Sequence, residues 1–180
     1  MLGRKIYPNQ EEGEQIVISV REHWFRLFTK VFIIALLSFL PWGIKALLIS
    51  GSALAQSNTA FTLIAVFTSV YFLGLLTALF IVIVLYYLNL HIVSDHRIVD
   101  MDQIGLLFHK VSELNIQTIE DVSSQTKGLF GNLLNYGTVF VQTAGATERF
   151  QFENVPNPQR ISSVILELFE KQTHRGIHKP

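Results

Sequence analysis

The sequence predicts a membrane α-helical hairpin joined to an α+β, mainly-β domain: an antiparallel, partly open barrel capped by a C-terminal helix. Three observations predict it. Residues 31–88 hold one formal charge, Lys45, and 42 of these 58 residues are apolar or aromatic. After Leu88 the texture changes to short alternating runs separated by polar turns. The last element carries one apolar stripe at helical spacing. The averages over all 180 residues, zero net charge and a mean hydropathy of +0.37, therefore describe neither part.

Residues 1–30 read as a cytoplasmic N-terminal segment. Ile16, Ile18 and Val20 alternate with polar or small neighbours, which predicts a strand over Gln15–Val20 that joins the downstream sheet. Arg21 to Arg26 follow as an interfacial stretch, with Trp24 at headgroup level and the Arg21 and Arg26 side chains directed to phosphates; Trp24, Arg26 and Lys30 serve as interface anchors. Some 30 mostly polar residues with four Glu precede the apolar block, unlike a secretory signal peptide.

The hairpin occupies residues 31–88. A spanning helix needs roughly 20 apolar residues. Val31–Ile49 meets this, with a kink expected at Pro41 and with Trp42 and Lys45 as interface anchors. Phe61–Leu88 has no charge and ends in Tyr86 and Tyr87, which suit an aromatic belt. Gly74 and Ala78 form a small-xxx-small pair suited to helix packing, against the first span or another copy. Arg21, Arg26 and Lys30 lie before the spans and Arg97 and Lys110 after them, so both termini are expected in the cytoplasm.

Residues 89–170 read as roughly seven short strands and a closing helix, with 171–180 as a fraying tail. Expected strands include Leu90–Ser94, Ile98–Met101 and Leu106–Leu114. A short helical turn is expected around Leu133. Gly137–Thr143 and Glu148–Glu153 should form a hairpin through Ala144–Thr147. Asn157 is placed as a helix cap and Pro158 as the first helical residue. Ile161, Val164, Ile165, Leu168 and Phe169 then make one apolar stripe, which must lie on a sheet or barrel end.

Several stretches carry a family resemblance. They are Ile92–Asp100 (IVSDHRIVD), Lys110–Leu114, Ile119–Val122, Leu134–Val139 (LNYGTV), Gln142–Gly145 and Phe152–Pro158 (FENVPNP). With Gly13-Glu14, His23-Trp24 and the paired spans, the chain resembles the YdbS-like bacterial pleckstrin-homology (PH) domain membrane proteins over about residues 13–170. The resemblance implies a PH-like barrel capped by the last helix, no catalysis, and a place in the bacterial inner membrane. It points to Arg97, Asn135, Gly137, Gly145, Asn154, Pro156 and Asn157 as motif residues with a structural role.

Function classes narrow by chemistry. Balanced charge excludes a generally basic nucleic-acid binder. The lack of Cys excludes a disulfide scaffold, Cys-ligated zinc and a thiol nucleophile. His91, Asp95, His96, Asp100, Asp102 and His109 are metal-ligand types without paired-ligand spacing, and they read as a solvated strand face and a polar turn. Lys127–Asn132 (KGLFGN) lacks the GK[ST] end of a phosphate loop, and no nucleophile motif is present. No catalytic residue, cofactor or metal is expected. Residues 89–180 hold eight Lys and Arg against ten Asp and Glu, with no basic run for a lipid headgroup. The expected function is a membrane-anchored, non-catalytic protein-binding or assembly module. Its partners would be the bilayer and another membrane protein or a second copy. The alternatives are a lipid-sensing module or an accessory subunit of a transporter or secretion complex.

Overall fold

A computed structural model describes residues 14–49, 58–105, 107–143 and 150–177. The chain divides into two compact units, residues 24–86 and residues 1–23 with 87–180.

The first unit is helical: α1 (Trp24–Leu37), α2 (Leu40–Ile49) and most of α3 (Asn58–Leu88). Two stretches have the length and apolarity of spans, Trp24–Leu47 and Asn58–Leu88. The first begins seven residues before the expected Val31, so Trp24, Arg26 and Lys30 lie on the opening turns of a helix rather than on an irregular stretch. Aromatic stacking along Phe25, Phe28 and Phe32 favours helix there despite the charges.

The kink falls where Pro41 predicts it, between Leu37 and Leu40. Proline has no N–H, so the Leu37 carbonyl loses its helical donor four residues on. Tyr71 of α3 supplies a replacement, its hydroxyl donating to the Leu37 carbonyl at 2.8 Å. Gly74 is exposed, and a Cβ built there would meet nothing within 4 Å. Ala78 is half-buried.

Among the described residues, the second unit holds seven strands in two antiparallel sheets. Sheet A has the order β1-β2-β3-β4: β1 (Ile16–Val20), β2 (Leu90–Ser94), β3 (Arg97–Ile104) and β4 (Phe108–Asn115). Sheet B has the order β5-β6-β7: β5 (Ile119–Gln125), β6 (Tyr136–Thr143) and β7 (Phe150–Pro156). Between β5 and β6 lies α4 (Gly128–Leu134), and the chain closes with α5 (Pro158–Ile177). The antiparallel strands and closing helix of the expected PH-like domain are present; the strands form two sheets with no closed barrel among the described residues, and a 3-10 turn at Ile116–Thr118 lies between β4 and β5. Among the described residues six strands follow Leu88, and the seventh is β1, from ahead of the helices.

One core lies between the sheets and α5. Val93 and Ile98 face Val139, Val141 and Phe152, with Ile161 and Ile165 of the predicted stripe closing the side. Burial of such side chains is the main stabilising term, about 1.5–3 kcal/mol each. A smaller cluster, Ile92 and Val99 with Ile16, Leu90 and Met101, occupies the other face of sheet A. The helix α5 runs to Ile177.

Replacing Tyr71 by Phe should leave the Leu37 carbonyl without that donor. The expected loss is about 1–2 kcal/mol of helix-pair stability, read as earlier thermal unfolding of the helices in detergent.

Candidate functional site

The turn between β2 and β3 is a polar hub. The Ser94 hydroxyl lies 2.5 Å from Glu14 Oε1, to which it donates, and it accepts from the Arg97 N–H at 3.0 Å. Arg97 bridges two carboxylates, with Nε 3.1 Å from Glu14 and Nη1 2.9 Å from Glu113. The Glu14 side chain is 1% exposed, so its charge depends on these partners. Asp95 and Gln15 pair reciprocally: Gln15 N–H donates to Asp95 Oδ1 and Asp95 N–H to the Gln15 carbonyl, both at 3.0 Å. From α5, Gln172 Nε2 donates to the Asp95 carbonyl at 2.7 Å. Ile116 N–H reaches the His96 carbonyl. The hub therefore joins the segment before β1, both edge strands of sheet A and the last helix. Partial burial pushes the Asp95 carboxyl up, but hydrogen bonds from His96 and Gln15 outweigh it, and the net position is below the usual range. A cleft of about 350 Å3 opens beside the hub, lined by His96, Arg97, Glu113, Asn115, Gln117 and Gln172.

The inner face of sheet A turns polar at its other end. His91 on β2 lies opposite Asp100 on β3, with Nδ1 2.6 Å from Oδ1. The imidazole packs on Phe152 at 4.7 Å between ring centres. With Asp102 these residues form a group whose ligand-type atoms lie within 4.8 Å of one another. Burial, and then the Asp100 carboxylate, raise Asp102 above the ordinary range. The expectation of a solvated face fails for His91 and Asp100, which are buried. Their register places them in the same row as Val93 and Ile98, which spacing in sequence does not reveal. One imidazole and two carboxylates suit a divalent cation in kind, while the His91–Asp100 contact already gives two buried polar groups a partner. The other candidate ligands lie apart: Asp95 pairs with His96, and His109 with Gln103.

His23 ties the segment ahead of α1 to sheet B. Its N–H donates to the Asn154 carbonyl at 2.7 Å, and its ring stacks on Tyr136 at 5.0 Å. Residues 14–23 thus pair with sheet A through β1 and with sheet B through His23. Burial holds the His23 imidazole below its ordinary value.

The motif residues fall into local devices. Asn135, Asn154 and Asn157 all adopt left-handed backbone, where Asn is tolerated better than most residues. Asn157 stands at the expected cap position of α5, its carbonyl accepting from the Arg160 and Ile161 N–H groups; its Oδ1 accepts from Asn135 Nδ2, and its N–H donates to the Asn135 carbonyl. That lock joins the start of β6 to the start of α5. Gly137 is required beside it: a Cβ there would lie 2.3 Å from the Gln125 carbonyl oxygen. Pro156 ends β7 opposite Tyr136. Gly145 lies outside the described residues. The expected anchors Trp24, Arg26, Lys30, Trp42, Lys45 and Tyr87 are exposed, and Tyr86 is half-buried. Arg21, expected to face phosphates, places its guanidinium 5.6 Å from the Tyr87 ring centre. Glu14 and Tyr71 were missed as partners. The only signal for Tyr71 was Pro41, whose missing N–H calls for an outside donor.

Antiparallel sheets of four and three strands around one core, closed by a C-terminal helix, define a domain of the pleckstrin-homology type. The bacterial PH domain family matches residues 24–169, a region that takes in both apolar helices, and the chain belongs to that family. Among solved structures, a DUF1696-family protein with a pleckstrin-homology domain, from Shewanella loihica PV-4, is similar at 13% identity and a TM-score of 0.38, over 45% of this chain and 70% of that one. Comparison with curated proteins gives no match.

Two predictions follow from the hub and from His23. Arg97→Met should cost about 3–5 kcal/mol, because it removes the guanidinium from buried Glu14. Glu14→Gln in that background should recover part of the loss, measured by denaturant unfolding of the full chain in detergent. Because the folded His23 has the lower pKa, its docking is complete above the ordinary imidazole value of about 6.5 and weakens as pH falls through the folded value. The protection factor of the His23 amide, taken against the intrinsic exchange rate at each pH, should fall on acidification from neutral pH, and His23→Phe should remove that dependence while keeping a ring on Tyr136.

Proposed function

We propose that this PH-domain protein is a YdbS-like, two-span protein of the bacterial inner membrane, with the domain and both termini in the cytoplasm. In this reading it is a non-catalytic protein-binding or assembly module. One observation carries the topology. β1 and β2 are hydrogen-bonded neighbours, with Val20 opposite His91, although both apolar helices lie between them in sequence. Two strands of one ladder share a compartment, so the insertion crosses the membrane an even number of times. The helices support crossing: each candidate span exceeds the roughly 20 residues required. Large apolar side chains along them, such as Leu47, Phe67 and Val70, are exposed, as lipid-facing positions are. The basic residues on the domain side, Arg21, Arg26, Arg97 and Lys110, give the orientation.

Docking is read from β4. It is the last strand of sheet A in the ladder order, and most of its side chains are exposed. Such an edge accepts an extended segment of a partner by strand addition. Gly74, open to close approach, supports the second reading, an accessory subunit gripped through the helices.

A reporter active only outside the cytoplasm should be silent after Pro180 and active at Gln56; the reverse pattern overturns the orientation. A photo-crosslinker at Val111 of β4 should yield adducts with a second copy or another membrane protein. Adducts from position 74 instead favour the second reading, and adducts from neither overturn docking altogether.

A further inference from the structure

The domain has one end from which the chain runs to both apolar helices, and that end carries two exposed apolar patches, one on each sheet. On sheet A, Asn89 joins α3 to β2, and its side-chain oxygen accepts from the Gln103 N–H at 2.8 Å. Gln103 is therefore level with the junction. The β3–β4 hairpin continues past it, with Ile104 opposite Phe108. At about 3.3 Å per residue its tip projects roughly 7–10 Å further. Leu107, at 89% exposed, and Phe108, at 70%, sit at that tip. On sheet B, Tyr136 stacks on His23, the residue before α1, and α4 ends two residues before Tyr136. Leu129, Phe130 and Leu133 of α4 share a face and are exposed.

Charge is segregated in the same way. The domain is slightly acidic as a whole, yet no carboxylate occurs between Gln103 and Ser112 or between Val122 and Thr143. Lys110 and Lys127 flank the two patches. Apolar side chains with Trp, Phe or Leu, edged by Lys and free of carboxylates, are the composition of surfaces that lie in an anionic membrane interface.

We propose that this end of the domain is an interfacial lipid-contact collar, in which the β3–β4 tip and α4 enter the headgroup region of an anionic bilayer. The proposal rests on the membrane anchoring argued above. It differs from headgroup recognition in a pocket: the contact is shallow, apolar and non-specific, and it fixes the domain's tilt on the membrane rather than sensing a particular lipid.

The chain has no Cys, so single-Cys variants carry a fluorophore without background labelling. Full-length L107C, F130C, E120C and L73C would be labelled with an environment-sensitive dye and reconstituted in phosphatidylethanolamine–phosphatidylglycerol vesicles carrying shallow or deep lipid-borne quenchers. Glu120 is an exposed residue at the far end of sheet B, and Leu73 is near the middle of α3. Positions 107 and 130 should be blue-shifted and quenched from shallow depth, 73 quenched from deep, and 120 unaffected. If 73 is quenched while 107 and 130 stay water-like, anchoring stands and the collar is overturned. If 107 and 130 are blue-shifted but unquenched, protein rather than lipid covers them, which also overturns it. If 73 is water-like, anchoring fails; shallow quenching at 107 and 130 would then support the collar alone, and its absence would overturn both. Matching thermal unfolding of the labelled variants checks that each is folded.

Discussion

The ladder between β1 and β2 is the constraint on which the rest of the architecture depends. It joins two segments separated in sequence by all of the helical unit. Loop-closure entropy grows only logarithmically with loop length, so a long insertion is tolerated where the ladder is well held. Here it is held at both ends. Glu14 and Gln15 lock into the turn after β2 through Ser94, Arg97 and Asp95. His23 locks onto sheet B through Asn154 and Tyr136. The N-terminal segment is therefore part of the domain's core structure rather than a leader to the first helix.

What was legible in the sequence was pattern. The uncharged block, the alternation of Val139 and Val141 with polar or half-buried neighbours, and the stripe from Ile161 to Phe169 each record which face is apolar, and faces follow from period. What was not legible was pairing. His91 and Asp100 look like surface residues because they are polar, and only the register of β2 on β3 puts them inside. Glu14 sits in a run of polar residues and gives no local sign that it is buried.

Backbone chemistry produced the other differences. Asn before Pro ahead of an apolar stripe is a helix-cap signal, and Asn157 does stand before α5, but its left-handed backbone turns the side chain to Asn135. The passage from one sheet to the other falls at the turn Ile116–Thr118, where Asn115 accepts from the Gln117 N–H. Hydrophobic period is blind both to the sign of φ at Asn157 and to the side-chain cap at Asn115.

The insertion point also sets an order of assembly. β1 leaves the ribosome before the helices, while its partner strand follows them, so the two cannot meet until the whole hairpin has been made. Until then Glu14 has no Arg97 to pair with and sheet A lacks its first strand. The sheet therefore closes late, and only a chain that brings the two ends of the helical unit together can complete it.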